Sequence, residues 1–345
     1  MAGNVAEWLL NAQADGFTVA GGSWKDPPYL FAYFGAVPVF NSVNTLGFRC
    51  VLNSPNATGD QGAMPLNPAE AIPVYNPVGD SQFQAMLRHY QYDKTPLDPR
   101  VMEVKETDLW RREKISFAGA AGDRAFAYLY LPKNASRPLQ VIHYYPGSGV
   151  DIGLTVPDEV EGHAAPYIKT GRAVFAVVLK GYTERPQPPN YTPATRDSVK
   201  LREAVANKVI DSRRGLDYLV TRSEVDISKI AFFGVSMNQT RMTLIGVETR
   251  YAAIVLMGCG YPFSGLIPET DAANFLPRVR PPKLWIHGRY DEIIPLKTAA
   301  EPFYKLLGEP KQMILHDGGH IPPLEISVPA INSWLHKTMG PVKRV

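Results

Sequence analysis

Residues 229–242 constrain the fold more than any other part of the chain. The stretch opens with an apolar run from Lys229 to Phe233, passes through a Gly-x-Ser-x turn and continues into residues that can form a helix. A strand, a sharp turn and a helix in this order hold a serine out at the end of a sheet. Gly234 permits the tight turn, so the pattern predicts that Ser236 lies at its tip with an exposed hydroxyl.

The same turn predicts a site for a developing oxyanion. The backbone N–H of Met237, at the start of the following helix, would face such a charge. A second donor is expected from the glycine-rich loop that follows the third predicted strand, at the N–H groups of Gly147 and Ser148. Asn238 stands where this turn usually has a glycine, and a buried or helix-capping Ser236 is the alternative if no base and acid accompany it.

Residues beyond position 108 alternate between strand and helix patterns. The first two predicted strands flank a Gly122-Asp123 turn, as in a hairpin, and the next runs are nearly continuous apolar segments, as in buried parallel strands. Eight strands are predicted, at residues 114–118, 125–131, 139–145, 173–179, 229–233, 252–257, 283–287 and 312–316. Helical patterns occupy residues 196–222, 237–250, 296–307 and 325–337. This alternation predicts the α/β class, with a doubly wound, mostly parallel, eight-stranded sheet.

Two polar loops follow the last two predicted strands. Asp291 comes shortly after residues 283–287, and His320 follows residues 312–316. Catalytic groups in such sheets gather at the carboxyl ends of the strands, and a nucleophile, an acid and a base recur there in the chain order Ser, Asp, His. We therefore expect His320 to take the proton of Ser236 and Asp291 to orient the imidazole.

Other titratable residues near these loops are weaker candidates. Asp317 precedes a Gly-Gly turn and is expected to order its own loop, whereas Glu292 should point away from the site because it is the next residue after the predicted acid. His143, His287 and His316 lie within or at the ends of strands, and we expect them to be packed.

Four tyrosines are predicted to line a substrate pocket. Tyr144 and Tyr145 end the third strand, Tyr182 belongs to an irregular loop over the site, and Tyr290 directly precedes Asp291. An aromatic acyl group would suit such walls. Tyrosines are also common packing residues, so positions in the core are the open alternative.

The composition argues against several classes of function. Hydrophobic residues make up 45% and charged residues 20% of the chain, which is typical of globular proteins. The net charge of +3 is spread thinly, so we expect no nucleic-acid partner and no membrane surface. The two cysteines form neither a metal-binding pattern nor a disulfide framework, and we expect no metal and no cofactor. No signal peptide or membrane-spanning stretch is visible, which favours the cytoplasm; the oligomeric state is open.

Three segments differ in character along the chain. Residues 1–53 are predicted to form a small irregular module. Residues 54–107 are rich in proline and are predicted to be a connector that packs over the next domain. Residues 108–345 carry the α/β pattern.

Three sequence blocks in the first segment resemble a known family. The blocks are Gly3-Asn4-Val5-Ala6-Glu7-Trp8, Val19-Ala20-Gly21-Gly22-Ser23-Trp24 and Asn44-Thr45-Leu46-Gly47-Phe48-Arg49-Cys50-Val51. In this order they resemble the C-terminal end of the formylglycine-generating-enzyme (sulfatase-modifying factor) family. The match covers only a fraction of that fold, so we expect a truncated piece of it and a chain that belongs to a longer protein. The interval from Lys25 to Asn44 lacks the family's reactive cysteine pair, which implies the fold without its copper-dependent oxidation.

Five further blocks carry a second resemblance, over roughly residues 85–345. They are Tyr92-Asp93-Lys94-Thr95-Pro96-Leu97, Trp110-Arg111-Arg112-Glu113, Pro146-Gly147-Ser148-Gly149, Gly288-Arg289-Tyr290-Asp291 and Gly319-His320-Ile321-Pro322-Pro323. Together they resemble the α/β-hydrolase superfamily, in its dienelactone-hydrolase and acetyl-xylan-esterase-like branch, and above all the hydrolase domain of bacterial kinase-linked proteins. By position, the resemblance implies Ser236 as nucleophile, Asp291 as acid and His320 as base. Asn238 and Gln239 depart from the family's usual glycine followed by a small residue.

These patterns predict a serine carboxylester hydrolase that forms an acyl-enzyme with small to medium esters. One alternative is a catalytically weak or inactive hydrolase fold that serves as a sensor or interaction module, which the departure at Asn238 and Gln239 favours. Another is an amidase or peptidase that uses the same three residues.

Overall fold

The structure is a computed structural model that describes most of the chain. The described residues are 4–13, 16–26, 31, 34–38, 42–50, 72–188, 198–236, 239–260 and 266–345. Met237, Asn238 and the loop that contains Tyr191 lie outside these ranges, and so does much of the predicted connector before residue 72.

Nine strands form one large mixed sheet. In chain order they are β5 (Arg100–Glu106), β6 (Trp110–Ala118), β7 (Arg124–Pro132), β8 (Leu139–Tyr145), β9 (Ala173–Val178), β10 (Val225–Val235), β11 (Tyr251–Met257), β12 (Lys283–Gly288) and β13 (Lys311–His316). Their spatial order is β13-β12-β11-β10-β8-β9-β7-β6-β5. All pairs from β13 to β9 are parallel, and the pairs from β9 to β5 are antiparallel. The predicted α/β class and mostly parallel sheet are confirmed.

The predicted number of eight strands is wrong by one, because β5 was not recognised. This strand lies at the edge of the sheet, pairs only with β6 and is exposed along its whole length. An edge strand that is exposed to solvent on both faces shows neither an alternation of apolar and polar residues nor a continuous apolar run. The large sheet therefore begins within the stretch that was predicted to be a connector.

Helices cover both faces of the sheet. The α-helices are α1 (Asp80–Leu87), α2 (Val156–Glu159), α3 (Ala165–Lys169), α4 (Val199–Val220), α5 (Gln239–Val247), α6 (Glu301–Leu306) and α7 (Leu324–Met339), with π-helical turns at Val160–Ala164 and Leu296–Ala300. Short 3-10 turns occupy Arg88–Tyr90, Ala120–Gly122, Ser148–Asp151, Ala272–Asn274 and Leu276–Arg278. None of the helices in the described ranges combines the length and apolar character that crossing a bilayer requires.

Two neighbouring residues of β10 show how the helices are divided between the faces. Phe233 packs against Tyr167 of α3 at a ring-centroid distance of 5.6 Å, and Phe232 packs against His143 of β8 at 6.1 Å. The layer around His143 continues through Phe175 to α4. Because successive side chains of a strand point to opposite faces, α3 and α4 lie on opposite faces of the sheet.

The N-terminal residues form a separate small sheet. Its strands are β1 (Ala6–Gln13), β2 (Gly16–Ala20), β3 (Phe34–Pro38) and β4 (Leu46–Gly47), in the order β3-β2-β1-β4. β1, β2 and β3 pair antiparallel, and β4 joins β1 in parallel. The predicted irregular module is therefore a small β-structure in its described part.

Candidate active site

Ser236 directly follows β10 and has a left-handed backbone, with φ of +65°. A non-glycine residue in this region is strained, and such strain is common where a side chain is held out at a sharp turn. The turn is tied to the neighbouring strand, because the Ser236 N–H donates to the carbonyl of Met257 at 2.8 Å. The predicted turn is present up to Ser236, but this residue is buried, with 8% exposed, and is not open to solvent as expected. Met237, the first predicted oxyanion donor, lies outside the described residues.

His320 lies within hydrogen-bond distance of both Ser236 and Asp291, as the sequence predicts. Ser236 Oγ is 2.6 Å from His320 Nε2, and His320 Nδ1 is 2.8 Å from Asp291 Oδ2. A carboxylate can only accept, so Nδ1 carries the imidazole proton and Nε2 accepts from the serine hydroxyl. All three side chains are at most 9% exposed. The arrangement can remove a proton from Ser236.

Backbone groups hold the Asp291 carboxylate in place. Its Oδ1 accepts the N–H groups of Ile293 at 3.0 Å and Ile294 at 2.8 Å. Both oxygens face His320 Nδ1, Oδ2 at 2.8 Å and Oδ1 at 3.0 Å. His287 lies 3.4 Å from Oδ2, and its Nε2 donates to the Ile294 carbonyl at 2.8 Å. Burial lowers the pKa of His287, so this ring stays neutral beside the carboxylate.

The acid loop and the base loop are joined by main-chain hydrogen bonds. Arg289 N–H donates to the carbonyl of His316 at 3.0 Å, and Tyr290 N–H donates to that of Gly318 at 3.1 Å. Gly288 allows this approach, because a Cβ at its position would overlap the carbonyl oxygens of Gly318 and Gly319. The relative placement of Asp291 and His320 therefore depends on a glycine at the end of β12.

The predicted second oxyanion donor is engaged in another contact. Gly147 N–H donates to the buried carboxylate of Glu159 at 3.3 Å. Tyr144 OH donates to the same Oε2 at 3.2 Å, and His163 lies 3.4 Å from it. Burial raises the pKa of Glu159, but hydrogen bonds from His163, Gly147 and Tyr144 outweigh it and leave the pKa below its usual range. Ser148 begins the 3-10 turn that follows.

Three of the four predicted substrate-binding tyrosines belong to the hydrophobic core. Tyr144, Tyr145 and Tyr182 are at most 2% exposed, so their rings do not form open pocket walls. The alternative of packing residues holds for them, because the end of a buried strand directs its side chains into the layers on either side of the sheet. Tyr290 is partly exposed and stays a candidate.

The rival carboxylates have other neighbours. Asp317 is exposed and pairs with Arg289 at 2.8 Å, which fits its predicted role in ordering the loop. Glu292 does not point away from the site, because its carboxylate lies against Gly319, next to His320. Burial, followed by the charge of Asp291, raises the pKa of Glu292.

The three histidines predicted to be packed are buried. His143 lies 2.8 Å from the Tyr251 hydroxyl, and burial lowers its pKa to about 3. In the described part of the chain, no group of three or more His, Cys, Asp and Glu side chains is placed to hold a metal ion.

Sequence reasoning missed two charged residues at the site. Glu159 lies at the end of α2, and Arg241 lies in α5. Charges within helical patterns usually face solvent, and nothing in the local sequence marks these two as buried. In the structure, Gly234 makes room for Arg241, because a Cβ at Gly234 would overlap the Arg241 side chain.

The fold of this chain is similar to that of several solved structures. No protein-family model matches the chain, and no curated protein matches it in sequence. Among solved structures, the chain is similar to an acetyl xylan esterase from Paenibacillus sp. R4, with 18% identity, 77% of this chain and 97% of that chain covered, and a TM-score of 0.59. Acetyl xylan esterase 1 from Thermoanaerobacterium sp. JW/SL YS485 is 15% identical, with 76% and 95% covered and a TM-score of 0.61. A glucuronoyl esterase from Solibacter usitatus is 13% identical, with 79% and 98% covered and a TM-score of 0.52. The chain thus has the mixed α/β fold, with a large and mostly parallel sheet, that these esterases of the α/β-hydrolase fold share.

Proposed function

We propose that the protein is a serine carboxylester hydrolase that acts through an acyl-enzyme. The observation that carries the proposal is the relay in which Ser236 Oγ meets His320 Nε2 at 2.6 Å while His320 Nδ1 meets Asp291. A serine hydroxyl needs such a base at neutral pH. The names of the solved structures with the same fold, acetyl xylan esterase and glucuronoyl esterase, support ester bonds as the substrate class.

The proposed reaction has two balanced halves. Ser236 Oγ bonds to the ester carbonyl carbon as its proton passes to His320 Nε2, and the carbonyl electron pair becomes an oxyanion. When the oxyanion collapses, the bond to the leaving alkoxide breaks and His320 returns the proton to it, which releases an alcohol. A water then repeats both steps on the acyl-enzyme and releases the acid. Asp291 stabilises the imidazolium in each half.

A series of p-nitrophenyl esters, from acetate to octanoate, tests this proposal together with matched p-nitroanilides. We expect hydrolysis of the esters, falling with chain length, and much slower hydrolysis of the anilides, because the amine is the poorer leaving group. Faster turnover of the anilides would favour the amidase or peptidase alternative. A folded protein without activity on any substrate of either series would contradict the proposal.

A second candidate function is a binding module that retains the hydrolase fold without turnover. The observation that favours it is the buried carboxylate of Glu159, which accepts the Gly147 N–H at 3.3 Å. A negative charge at this point opposes an oxyanion beside Ser236. This candidate predicts that the protein binds an ester or its acid without consuming it, so binding and hydrolysis of the same p-nitrophenyl series separate the two functions.

We also propose that residues 1–53 are a truncated formylglycine-generating-enzyme-like module, joined by residues 54–107 to the hydrolase unit of residues 108–345, to whose sheet the end of the connector adds the edge strand β5. The separate sheet β3-β2-β1-β4 supports a distinct first unit. The described part of the connector packs on the α/β unit through Phe83 and Tyr90, whose rings lie 5.5 Å and 5.6 Å from that of Phe275.

Replacing Gly288 by alanine is expected to separate the acid loop from the base loop. The new Cβ would overlap the carbonyls of Gly318 and Gly319, so the loop that carries His320 must shift. A shift of about 1 Å at a reacting group costs up to roughly 100-fold in rate, and overpacking costs about 1–3 kcal/mol of stability. Ester hydrolysis and thermal unfolding measure the two effects.

Gly308→Ala is the matched control for this substitution. Gly308 lies between α6 and β13, and a Cβ there has no neighbour within 4 Å. We expect wild-type activity from it. Equal activity of the Gly288 and Gly308 variants would mean that the contact between the two loops does not set the position of His320.

A further inference from the structure

Arg241 connects the two segments that flank the oxyanion position. It lies five residues after Ser236, in α5, and its side chain is 0% exposed. Nη1 donates to the carbonyl oxygen of Ser236, and Nη2 donates to that of Pro146 at 2.7 Å. The guanidinium also lies 4.9 Å from the centre of the Tyr145 ring. One planar fork thus holds the end of β10 and the loop after β8 together.

The charge of Arg241 has no direct anionic partner among the described residues. None of their carboxylates comes within the 4.0 Å that defines an ion pair with its nitrogens. The thiol of Cys259 is close, but burial raises its pKa to about 11, so it stays neutral. Asp151 lies beyond this distance, but the rise that burial causes in the pKa of its carboxyl is still opposed by the charge of Arg241. A buried cation without a direct counter-ion is costly. The two carbonyl contacts are therefore the main interactions that keep Arg241 in this position.

These two carbonyls belong to the peptide units that matter for the proposed reaction. In a trans peptide unit, the carbonyl and the following N–H are coplanar and point in opposite directions. The Pro146 carbonyl shares its unit with the N–H of Gly147, one of the donors that the sequence predicts for the oxyanion. The Ser236 carbonyl belongs to the residue that carries the proposed nucleophile. A hydrogen bond to the carbonyl also strengthens the N–H of the same unit as a donor.

We propose that Arg241 is the positioning residue of the oxyanion hole, which it aligns by holding the carbonyls of Ser236 and Pro146 from behind. The inference rests on the proposed esterase function and deepens it. Arg241 acts through the Pro146–Gly147 peptide unit and the Ser236 carbonyl and does not touch the substrate. Its buried positive charge also favours the negative charge that develops on the substrate oxygen.

Glu159 and Arg241 hold opposite edges of the same peptide unit. Arg241 binds the Pro146 carbonyl, and Glu159 accepts the Gly147 N–H at 3.3 Å. The Gly147 Cα faces the nucleophile, because a Cβ there would lie 3.6 Å from the Cβ of Ser236. An oxyanion beside Ser236 must compete with Glu159 for this N–H. Arg241 holds this peptide unit in place while its N–H changes its acceptor from Glu159 to the oxyanion.

Kinetics of Arg241→Met and Arg241→Lys in the full chain test the proposal. Lysine keeps the positive charge but lacks the rigid fork that holds two carbonyls. We expect kcat for p-nitrophenyl acetate to fall about 100-fold in Arg241→Met and about 10-fold in Arg241→Lys, with KM changed less than about threefold. Affinity for a trifluoromethyl ketone, which forms a tetrahedral adduct with the serine, should fall in parallel with kcat/KM.

Arg172→Met is the matched control. Arg172 is 3% exposed, donates to the neutral side chains of Gln140 at 3.2 Å and Asn332 at 2.8 Å, and precedes β9 at the opposite end of the sheet from Ser236. This variant should lower the melting temperature and leave kcat of the folded protein unchanged.

The outcomes separate this inference from the esterase proposal. An active wild type with an unchanged kcat in either folded Arg241 variant overturns the role of Arg241 alone. An equal loss of kcat in Arg172→Met also overturns it, because the effect would then be general to buried arginines. Arg241→Lys decides if Arg241→Met does not fold. A wild type that hydrolyses no ester removes both proposals.

Discussion

Ser236→Ala is expected to lower kcat for p-nitrophenyl acetate by on the order of 10⁴-fold or more, about 5.5 kcal/mol in transition-state free energy. The methyl group of alanine cannot form the acyl-enzyme, and His320 loses the hydroxyl that its Nε2 now meets at 2.6 Å. The turnover that remains in the variant would come only from the binding of the ester next to the base His320. Steady-state kinetics with a burst-phase measurement check this, because the burst of p-nitrophenol that reports acylation should disappear along with turnover.

The strained backbone at Ser236 adds a second expected effect. Alanine has no more freedom than serine at φ of +65°, so the substitution keeps the strain and removes only the hydroxyl. The melting temperature should therefore stay close to that of the wild type, and the loss of activity will report chemistry and not unfolding. Ser228→Ala, on the exposed part of the same strand, is the control and should keep full activity. If Ser236→Ala still hydrolyses esters at the wild-type rate, another residue must be the nucleophile.

The strands of the large sheet show which parts of the fold could be predicted from the sequence. All eight predicted strands are present, because the local sequence signals each of them, the first two as a hairpin around Gly122-Asp123 and the others as apolar runs. β5 was missed for the opposite reason: its residues are exposed, and pairing with β6 is the only thing that makes them a strand. The small N-terminal sheet was missed because β1 shows no strict alternation of apolar and polar residues, and because β2, β3 and β4 are short and contain glycine.

The site divides in the same way. Asp291 and His320 were predictable because each follows a recognisable strand, and the ends of parallel strands converge whatever the rest of the chain does. Glu159 and Arg241 are buried charged residues. Their burial depends on how the layers of the fold pack together, which the local sequence does not show. Tyr144 and Tyr145 failed as pocket residues for a related reason, because the same burial encloses their rings in the core.

Asp291→Asn is the second substitution with a large expected effect, a fall in kcat of about 10³- to 10⁴-fold. The reason lies in how the carboxylate is held. Its Oδ1 accepts two backbone N–H groups, from Ile293 at 3.0 Å and Ile294 at 2.8 Å. His320 Nδ1 lies 3.0 Å from this oxygen and 2.8 Å from Oδ2. An asparagine keeps its oxygen on the two backbone donors, so its amide NH2 takes the position nearer to Nδ1. Nδ1 must then accept a hydrogen bond, so the imidazole proton moves to Nε2 and the ring can no longer take a proton from Ser236.

The expected effect arises from the tautomer of His320 and not from a change in the fold, so it can be tested apart from stability. Substrate binding should be nearly unchanged, and NMR of the His320 ring nitrogens should show the proton on Nε2 in the variant and on Nδ1 in the wild type. Asp317→Asn is the control, because Asp317 is an exposed neighbour of His320 in sequence whose ion pair among the described residues is with Arg289. It should change kcat by less than about twofold, as expected for an exposed ion pair. A large loss in Asp317→Asn and a small one in Asp291→Asn would exchange the roles of the two carboxylates, and the relay through Asp291 would have to be abandoned.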